Sequence, residues 1–229
     1  MNIAIITARG GSKRIPRKNI KHFCGKPIIA YSIEAAIHSG VFDEVMVSTD
    51  DNEIAEISKN YGAKVPFMRS EKTSDDFATT ADVIKEVLTN YKSIGTEFDN
   101  FCCIYPTAPF VTPEKLKNAY EMLLKEDAYS VMTVVQYSYP PQRSLSIENG
   151  HIVMNYPEYN RARSQDLSPI YHDCGQFYFV KSKDFLNGGE MIGENTIPLI
   201  IEELEVQDID TIQDWIIAEN KFRLMTDKD

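Results

Sequence analysis

Short apolar runs and longer segments with helical spacing alternate along most of the chain. After Pro27, for example, Ile29 and Ile33 recur on one helix face, and residues 100–105 form a short apolar run. Strands that are joined by helices build mostly parallel sheets, with right-handed crossovers and helices on both faces. The pattern therefore predicts an α/β fold. The first predicted strand begins at Ile3, and the others cover 44–48, 64–68, 100–105, 129–135, 176–180 and 197–201. The predicted helices begin at Pro27, Asp50 or Asp51, Thr79 or Thr80, Thr112 with Pro113, and Thr211.

Residues 137–160 interrupt this alternation. Asn149 and Gly150 stand between two short extended runs, and this dipeptide is a preferred two-residue turn of β-hairpins. We therefore expect a hairpin that leaves the main sheet, and we call residues 137–160 the hairpin excursion. The chain has 229 residues, 43% of them hydrophobic, and no flexible linker, so it fits a single domain that spans 1–229.

The ends and the cysteines give further expectations. The chain starts with a strand-like run, and no apolar run approaches the roughly 20 residues that a membrane span needs. We expect a soluble, cytoplasmic protein that does not bind membranes. The four cysteines have no CxxC spacing, which favours buried reduced thiols over a metal or redox site. Cys102 and Cys103 would point to opposite faces of one strand.

Positive charge is concentrated near the start of the chain. The first 26 positions contain seven of the 24 basic residues and no acidic residue, although the whole chain carries a net charge of −10. A small polyanion is therefore the expected ligand. Because a nucleic-acid binder needs a broad basic surface, the acidity of the remaining chain argues against general binding of nucleic acids.

The basic loop, residues 8–19, follows the first strand directly. Ligands of parallel sheets bind beyond the carboxyl ends of the strands, which is where this loop starts. Gly10 and Gly11 allow backbone N–H groups to approach an anion, while Arg9, Lys13 and Lys18 can neutralise phosphate oxygens. The loop has neither the GxGxxG nor the GxxxxGK[ST] pattern, so it predicts neither a dinucleotide fold nor an ATP-hydrolysing loop. A solvated basic turn is the alternative.

Two aspartates near the other end of the chain form a possible cation site. Asp208 and Asp210 are two positions apart in an extended segment, so their side chains point the same way and suit a shared Mg²⁺. The alternative is structural, because Asp210 could support the cap of the helix that begins at Thr211.

Three middle segments offer further polar groups. An arginine and several hydroxyls follow the strand at 64–68, suitable for a base or ribose or for a capped loop. Two prolines fix a turn after the strand at 100–105, where side chains can face a ligand. Basic and amide side chains near 161–165 can hold a carboxylate. The residues concerned are Arg69, Ser74, Tyr105, Thr107, Arg161, Arg163 and Gln165.

At the level of motifs, the chain resembles the cytidylyltransferases that activate nine-carbon keto-sugar acids, the sialic acid family. The resemblance covers nearly the whole chain, and CCIYPTAPF, PPQR and YHDCGQFY indicate the branch that uses pseudaminic acid. Tyr105 stands where members that use sialic acid usually have Gln, which argues against sialic acid itself. The motifs are IAIITARGGSKRIPRKNI, FCGKPIIAYSIEAA, FDEVMVSTDD, CCIYPTAPF, RSQDLSPIYHDCGQFYF and VQDIDTIQDW.

This resemblance implies a three-layer, Rossmann-like nucleotidyltransferase that transfers CMP from CTP to the anomeric hydroxyl of a nonulosonic acid and releases pyrophosphate. It also implies a homodimer that pairs through the hairpin excursion. The residues implied in catalysis are Arg9, Lys18, Asp208 and Asp210, the last two as Mg²⁺ ligands. Those implied in CTP binding are Ala8, Arg9, Gly10, Gly11, Ser12, Lys13, Lys18, Asn19, Arg69 and Ser74, with Arg69 near the cytosine. Those implied in sugar binding are Tyr105, Thr107, Arg163, Gln165 and Gln176.

Three alternatives remain open at this point. The acceptor can be legionaminic, N-acetylneuraminic or a shorter 3-deoxy keto-sugar acid instead of pseudaminic acid. The chain can be a regulatory domain that binds CTP without catalysis, although the aspartate pair argues against it. A nucleic-acid binder that uses the basic loop ranks last because the rest of the chain is acidic.

Overall fold

Ten strands and six helices alternate along the chain in the computed structural model, which describes residues 1–75 and 77–226. The strands are β1 (Asn2–Thr7), β2 (His22–Phe23), β3 (Lys26–Pro27), β4 (Glu44–Ser48), β5 (Asn100–Ile104), β6 (Ser130–Gln136), β7 (Leu145–Glu148), β8 (His151–Met154), β9 (Tyr171–Lys181) and β10 (Thr196–Ile200). The helices are α1 (Ile28–Ser39), α2 (Asn52–Asn60), α3 (Thr80–Ser93), α4 (Pro113–Lys125), α5 (Ser182–Gly188) and α6 (Ile212–Thr226). Among the described residues, no helix is long and apolar enough to cross a membrane.

Six of these strands form one central sheet in the order β10-β6-β9-β5-β1-β4. β1 is parallel to β4 and β5, and β10 is parallel to β6, which confirms the predicted mostly parallel sheet. β9 differs because it runs antiparallel to both of its neighbours. Its connection from β6 returns without a crossover helix, so Tyr171 pairs with Gln136 and the chain reverses its direction.

Helices cover both faces of this sheet. The apolar side chains of α1, α2 and α4 pack on one face, and those of α3 and α5 pack on the other. Cys102 belongs to the first core cluster and Cys103 to the second, as the strand period predicts. All four cysteines are free thiols. The three-layer arrangement is therefore confirmed.

Local sequence signals set where the helices begin. The Asp51 carboxylate accepts a hydrogen bond from the Ile54 amide at 3.0 Å and caps α2, while Thr79 forms a capping box at α3. Thr112 caps α4, with Pro113 at the first helical position. The predicted strand at 64–68 is reduced to one bridge between Lys64 and Met46, and sequence analysis missed the short helix α5.

The hairpin excursion forms a separate two-stranded ribbon of β7 and β8. Asn149 and Gly150 make its turn with φ angles of 50° and 79°, a conformation that suits this dipeptide. The ribbon exposes large apolar side chains, including Ile147 at 80% and Ile152 at 71%. Exposed isoleucines in this number are typical of a surface that another molecule covers.

Candidate active site

The basic loop lines a cleft at the carboxyl ends of β1 and β5. We call this cleft, which has a volume of about 430 Å³, the basic cleft. One wall comes from the end of β1 and the basic loop, and the other comes from the turn that follows β5. Its lining residues are Thr7, Arg9, Ser12, Lys13, Arg14, Ile15, Lys18, Asn19, Tyr105, Pro106 and Thr107.

Only some of the N-terminal cations face this cleft. Arg9, Lys13, Arg14 and Lys18 line it. The other three have partners elsewhere: Arg17 contacts Asp51 and Glu53, Lys21 lies over the Trp215 ring, and Lys26 pairs with Glu34. Four positive charges around one small cleft favour the binding of an anion.

Close backbone contacts hold the basic loop against the sheet. The Ala8 amide donates to the Ser48 carbonyl at 2.9 Å, and the Gly10 amide donates to Asp50 Oδ1 at 2.8 Å. A Cβ atom on Gly10 would lie 2.8 Å from Asp51 Oδ2, so this position has no room for a side chain. Asn19 is buried and donates from Nδ2 to the Arg9 carbonyl at 2.9 Å. Ala8, Gly10 and Asn19 therefore shape the loop, while Gly11 is exposed.

Arg17 fastens the loop to the start of α2. Its Nη1 and Nη2 donate to the two oxygens of Asp51 at 2.5 and 2.9 Å. These hydrogen bonds, with the cap of α2, lower the pKa of Asp51 to about 2, and the same contact raises the pKa of Arg17. Arg17 itself has a φ of 56°, an unusual value for a residue other than glycine. The ion pair with Asp51 stabilises the backbone turn at Arg17.

The late aspartates lie beside the basic loop, although almost two hundred residues separate them in sequence. Arg14 Nη1 donates to Asp210 Oδ2 at 2.7 Å, and Arg14 Nη2 lies 2.7 Å from Asp210 Oδ1. Lys18 Nζ donates to the Ile209 carbonyl at 2.6 Å and lies 3.7 Å from Asp210 Oδ1. Partial burial raises the pKa of Asp208, and the nearby charge of Asp210 raises it further. Cations and carboxylates thus meet at one edge of the cleft.

A different aspartate, Asp214, forms a capping box with Thr211 at the start of helix α6. The amides of Asp210 and Thr211 donate to Asp214 Oδ2 at 3.2 and 2.7 Å, and the Asp214 amide donates to Thr211 Oγ1 at 3.3 Å. Hydrogen bonds from Thr211 lower the pKa of Asp214. The carboxylate of Asp210 is therefore not the helix cap that the structural alternative required.

A second cavity of about 280 Å³ adjoins the basic cleft and shares Thr7, Arg9 and Tyr105 with it. Arg69 lines this cavity and is buried, donating from Nε to Ser48 Oγ at 3.1 Å and from Nη2 to the Ser48 carbonyl at 2.6 Å. Burial lowers the pKa of Arg69. Ser74 is not in the lining, since its hydroxyl donates to the Ser70 carbonyl at 2.7 Å, but its neighbours Thr73 and Asp75 are.

The residues predicted to bind the sugar are spread over a wider region. Tyr105 and Thr107 line the basic cleft. Arg163 and Gln165 are exposed in the connection between β8 and β9, and Arg163 Nε pairs with Asp166 at 2.7 Å. Gln176 is buried and donates from Nε2 to the Glu205 carbonyl at 2.6 Å. The structure brings only the first two to the cleft in this single chain, and the roles of all five stay predictions.

Sequence reasoning did not include several residues that line the two cavities, among them Arg14, Thr7, Pro106 and Asp75. Arg14 was visible as one of the clustered cations, but which cations face the cleft depends on contacts with distant acidic residues. Thr7 and Pro106 stand next to predicted site residues at the ends of β1 and β5. Their position at these strand ends was the sequence signal that could have identified them.

Comparisons with known proteins agree with this geometry. A family model described as "Cytidylyltransferase" matches residues 3–184. A pseudaminic acid cytidylyltransferase of Campylobacter jejuni is 42% identical over 224 residues, 97% of each chain. A CMP-N,N'-diacetyllegionaminic acid synthase of Legionella pneumophila is 35% identical over 230 residues, 97% of this chain and 96% of the relative.

Among solved structures, a CMP:2-keto-3-deoxy-manno-octonic acid synthetase complexed with CTP superposes with a TM-score of 0.70 over 99% of each chain, at 16% identity. At that identity the likeness supports the fold alone. The family assignment rests on the family model and on the full-length relatives. It confirms the family that the sequence motifs predict. The chain therefore belongs to the cytidylyltransferase family.

Proposed function

We propose that the protein transfers CMP from CTP to the anomeric hydroxyl of a nonulosonic acid, with pseudaminic acid as the first candidate, and releases pyrophosphate. The observation that carries this proposal is the basic cleft itself. Four cations line it, and Asp210 closes one edge only 2.7 Å from Arg14. A triphosphate with a divalent cation matches both halves of this charge pattern.

In this reaction the anomeric oxygen attacks the α-phosphorus in line, and the bond to pyrophosphate breaks. The protein must hold two anions together and stabilise charge on the phosphoryl oxygens and the leaving pyrophosphate. Lys18 and Arg9 supply fixed positive charge for this task, and Ser12, Lys13 and Asn19 complete the contacts to triphosphate and ribose. Arg69, in the adjoining cavity, is the proposed contact for cytosine.

The proposed metal ligands are Asp208 and Asp210. They fit Mg²⁺ because both are carboxylates. Partial burial and, after it, the charge of Asp210 raise the pKa of Asp208, and a nearby cation would relieve the repulsion between the two carboxylates. Within residues 1–75 and 77–226, no group of three or more acidic, His or Cys side chains could hold a metal alone. Phosphate oxygens and water would complete the coordination. When bound, Mg²⁺ would stabilise phosphate charge and lower the pKa of the attacking hydroxyl.

The acceptor follows from the relatives and from the turn after β5. The similarity to the pseudaminic acid cytidylyltransferase of Campylobacter jejuni supports pseudaminic acid. The similarity to the CMP-N,N'-diacetyllegionaminic acid synthase of Legionella pneumophila keeps legionaminic acid as the second candidate. Tyr105 and Thr107 are the proposed sugar contacts in the cleft, and Arg163, Gln165 and Gln176 are proposed to join them.

A panel of acceptors tests this function. Purified protein is mixed with CTP, MgCl₂ and one sugar acid, and pyrophosphate is measured by a coupled assay. We expect the highest kcat/KM with pseudaminic acid, followed by legionaminic acid, and little turnover with N-acetylneuraminic acid. Absence of pyrophosphate with every nonulosonic acid offered would contradict the proposed reaction. CTP binding without turnover would instead favour a regulatory domain.

We also propose that the protein is a homodimer that pairs through the hairpin excursion. Support comes from Leu145, Ile147 and Ile152, whose exposed apolar side chains lie on the same face of this two-stranded ribbon. A two-stranded ribbon is marginally stable alone and gains stability when its apolar surface is covered. The cytoplasmic location stays a prediction.

A further inference from the structure

Arg14 and Asp210 form a two-point ion pair at the edge of the basic cleft. One guanidinium nitrogen lies 2.7 Å from each carboxylate oxygen. This geometry is the strong, bidentate form of an arginine–carboxylate contact, and it occupies both oxygens. Lys18 adds a second positive charge 3.7 Å from Oδ1. In this arrangement the Asp210 carboxylate is fully neutralised by the basic loop.

This pair and a metal ion compete for the Asp210 carboxylate. A divalent cation needs at least one of the oxygens that Arg14 occupies. It would also stand a few ångströms from the guanidinium and the Lys18 ammonium, and like charges at that range repel strongly. A metal at Asp210 is therefore disfavoured while the guanidinium of Arg14 stays in this position.

The basic cleft offers Arg14 another partner once a nucleotide is present. The Arg14 side chain is 67% exposed and stands on a loop, so it can rotate at little cost. It already lines the cleft beside Arg9, Lys13 and Lys18. A bound triphosphate would therefore compete for the guanidinium with its own anionic oxygens.

We propose that Arg14 is an internal counterion that weakens the binding of divalent cations at Asp210 until a nucleotide occupies the cleft. The inference rests on the proposed metal site at Asp208 and Asp210. It couples the two ligands: the nucleotide releases Asp210 for the metal, and the metal in turn favours the nucleotide. Such coupling is reciprocal by thermodynamic necessity.

Manganese binding to the nucleotide-free protein tests this proposal without turnover. Free Mn²⁺ is measured by electron paramagnetic resonance while wild type and Arg14→Gln are titrated. We expect Arg14→Gln to bind Mn²⁺ about 10-fold more tightly, because one positive charge and one competitor are removed. Unchanged or weaker binding would overturn the proposal.

Two further variants make the result specific. Lys21→Gln removes a cation that lies over Trp215, so we expect Mn²⁺ affinity within about 2-fold of wild type. Adding Asp210→Asn to Arg14→Gln should abolish the gain. If the gain persists in that double variant, the ion binds elsewhere and the inference fails. Turnover of the wild-type protein is measured separately, so failure of this inference and failure of the proposed reaction give different results.

Discussion

Asp210 and Asp214 are four positions apart and have different partners. Asp214 accepts hydrogen bonds from the backbone at the start of α6, whereas the carboxylate of Asp210 faces Arg14. An Asp→Asn substitution at each of these two positions can therefore separate a structural role from a functional one. The spacing of Asp208 and Asp210 alone could not decide between these roles, because Asp210, directly before Thr211, could also have supported the helix cap.

The substitution Asp210→Asn should lower kcat at least about 100-fold, since it would remove the charge contact that we propose for the transition state. Asp214→Asn should instead lower the free energy of unfolding through the weakened capping box and reduce kcat less than about 10-fold. Pyrophosphate release and urea unfolding measure the two effects. Equal loss of activity in both variants would contradict the distinction.

Lys18 contacts the late segment directly, with Nζ 2.6 Å from the Ile209 carbonyl. Lys18→Ala should therefore lower kcat at least about 100-fold, the scale of one lost transition-state contact. Lys21→Ala is the matched control, because Lys21 contacts Trp215 outside the cleft. Near-wild-type turnover of a folded Lys18→Ala variant would remove Lys18 from the catalytic set.

At the residue scale, the candidate site was predictable where chemistry is tied to a short motif. The glycines, Arg9, Lys13, Lys18 and the aspartate pair lie in two such motifs. The selection among the cations was not predictable, because the partners of Arg14 and Arg17 lie far away in sequence. The directions in which the Arg14 and Arg17 side chains point depend on Asp210 and Asp51, which only the folded chain brings to the loop.

At the element scale, the Arg17–Asp51 ion pair joins the basic loop to helix α2. Asp51 serves both elements, since it also caps α2 through the Ile54 amide. Its pKa of about 2 in the folded protein lies below the ordinary value of 3.8, so between these values the unfolded chain binds more protons than the folded protein. The resulting stabilisation is complete above about pH 4 and is lost as the pH falls toward 2.

Asp51→Asn should keep the cap of α2 and lose the ion pair. We expect it to lower the free energy of unfolding at pH 7 by about 1 to 2 kcal/mol, after allowance for solvent screening. The difference from wild type should shrink as the pH falls from about 4 toward 2. Urea unfolding across this range measures it. Glu56→Gln, which removes an exposed pair with Lys59 on the same helix, is the control, and an equal pH dependence there would contradict the account.

Most elements of the fold could be predicted because their signals are local. Asp51, Thr79 and Thr112 cap helices where the sequence indicates, and the Asn-Gly turn makes the hairpin. The direction of β9 was not predictable in this way. Strand direction depends on how the connection from β6 returns to the sheet, and that path is set by tertiary contacts.

At the scale of the whole molecule, the apolar ribbon of the hairpin excursion should determine the oligomeric state. A variant with Ile147→Asp and Ile152→Asp should sediment as a monomer where wild type sediments as a dimer, because two charges would be buried unpaired at the interface. Ile94→Asp replaces another isoleucine, 65% exposed after α3, and should remain dimeric. A dimer that survives the double substitution would contradict pairing through the excursion.

The distribution of charge also acts at this scale. The chain is acidic overall, with a net charge of −10, yet four cations surround the basic cleft. A negative surface repels other polyanions at long range, while the cleft attracts a small anion that can enter it. This contrast explains why a compact nucleotide suits the protein better than a nucleic acid.

The most direct test of the account is the position of a metal–nucleotide complex in the cleft. A crystal of the protein with CTP and MnCl₂ can be examined by anomalous diffraction, which locates manganese unambiguously. We expect one manganese peak between Asp208, Asp210 and the phosphates, with the triphosphate against Lys18 and with Arg14 released from Asp210. A triphosphate bound elsewhere, or manganese remote from both aspartates, would contradict the central claim.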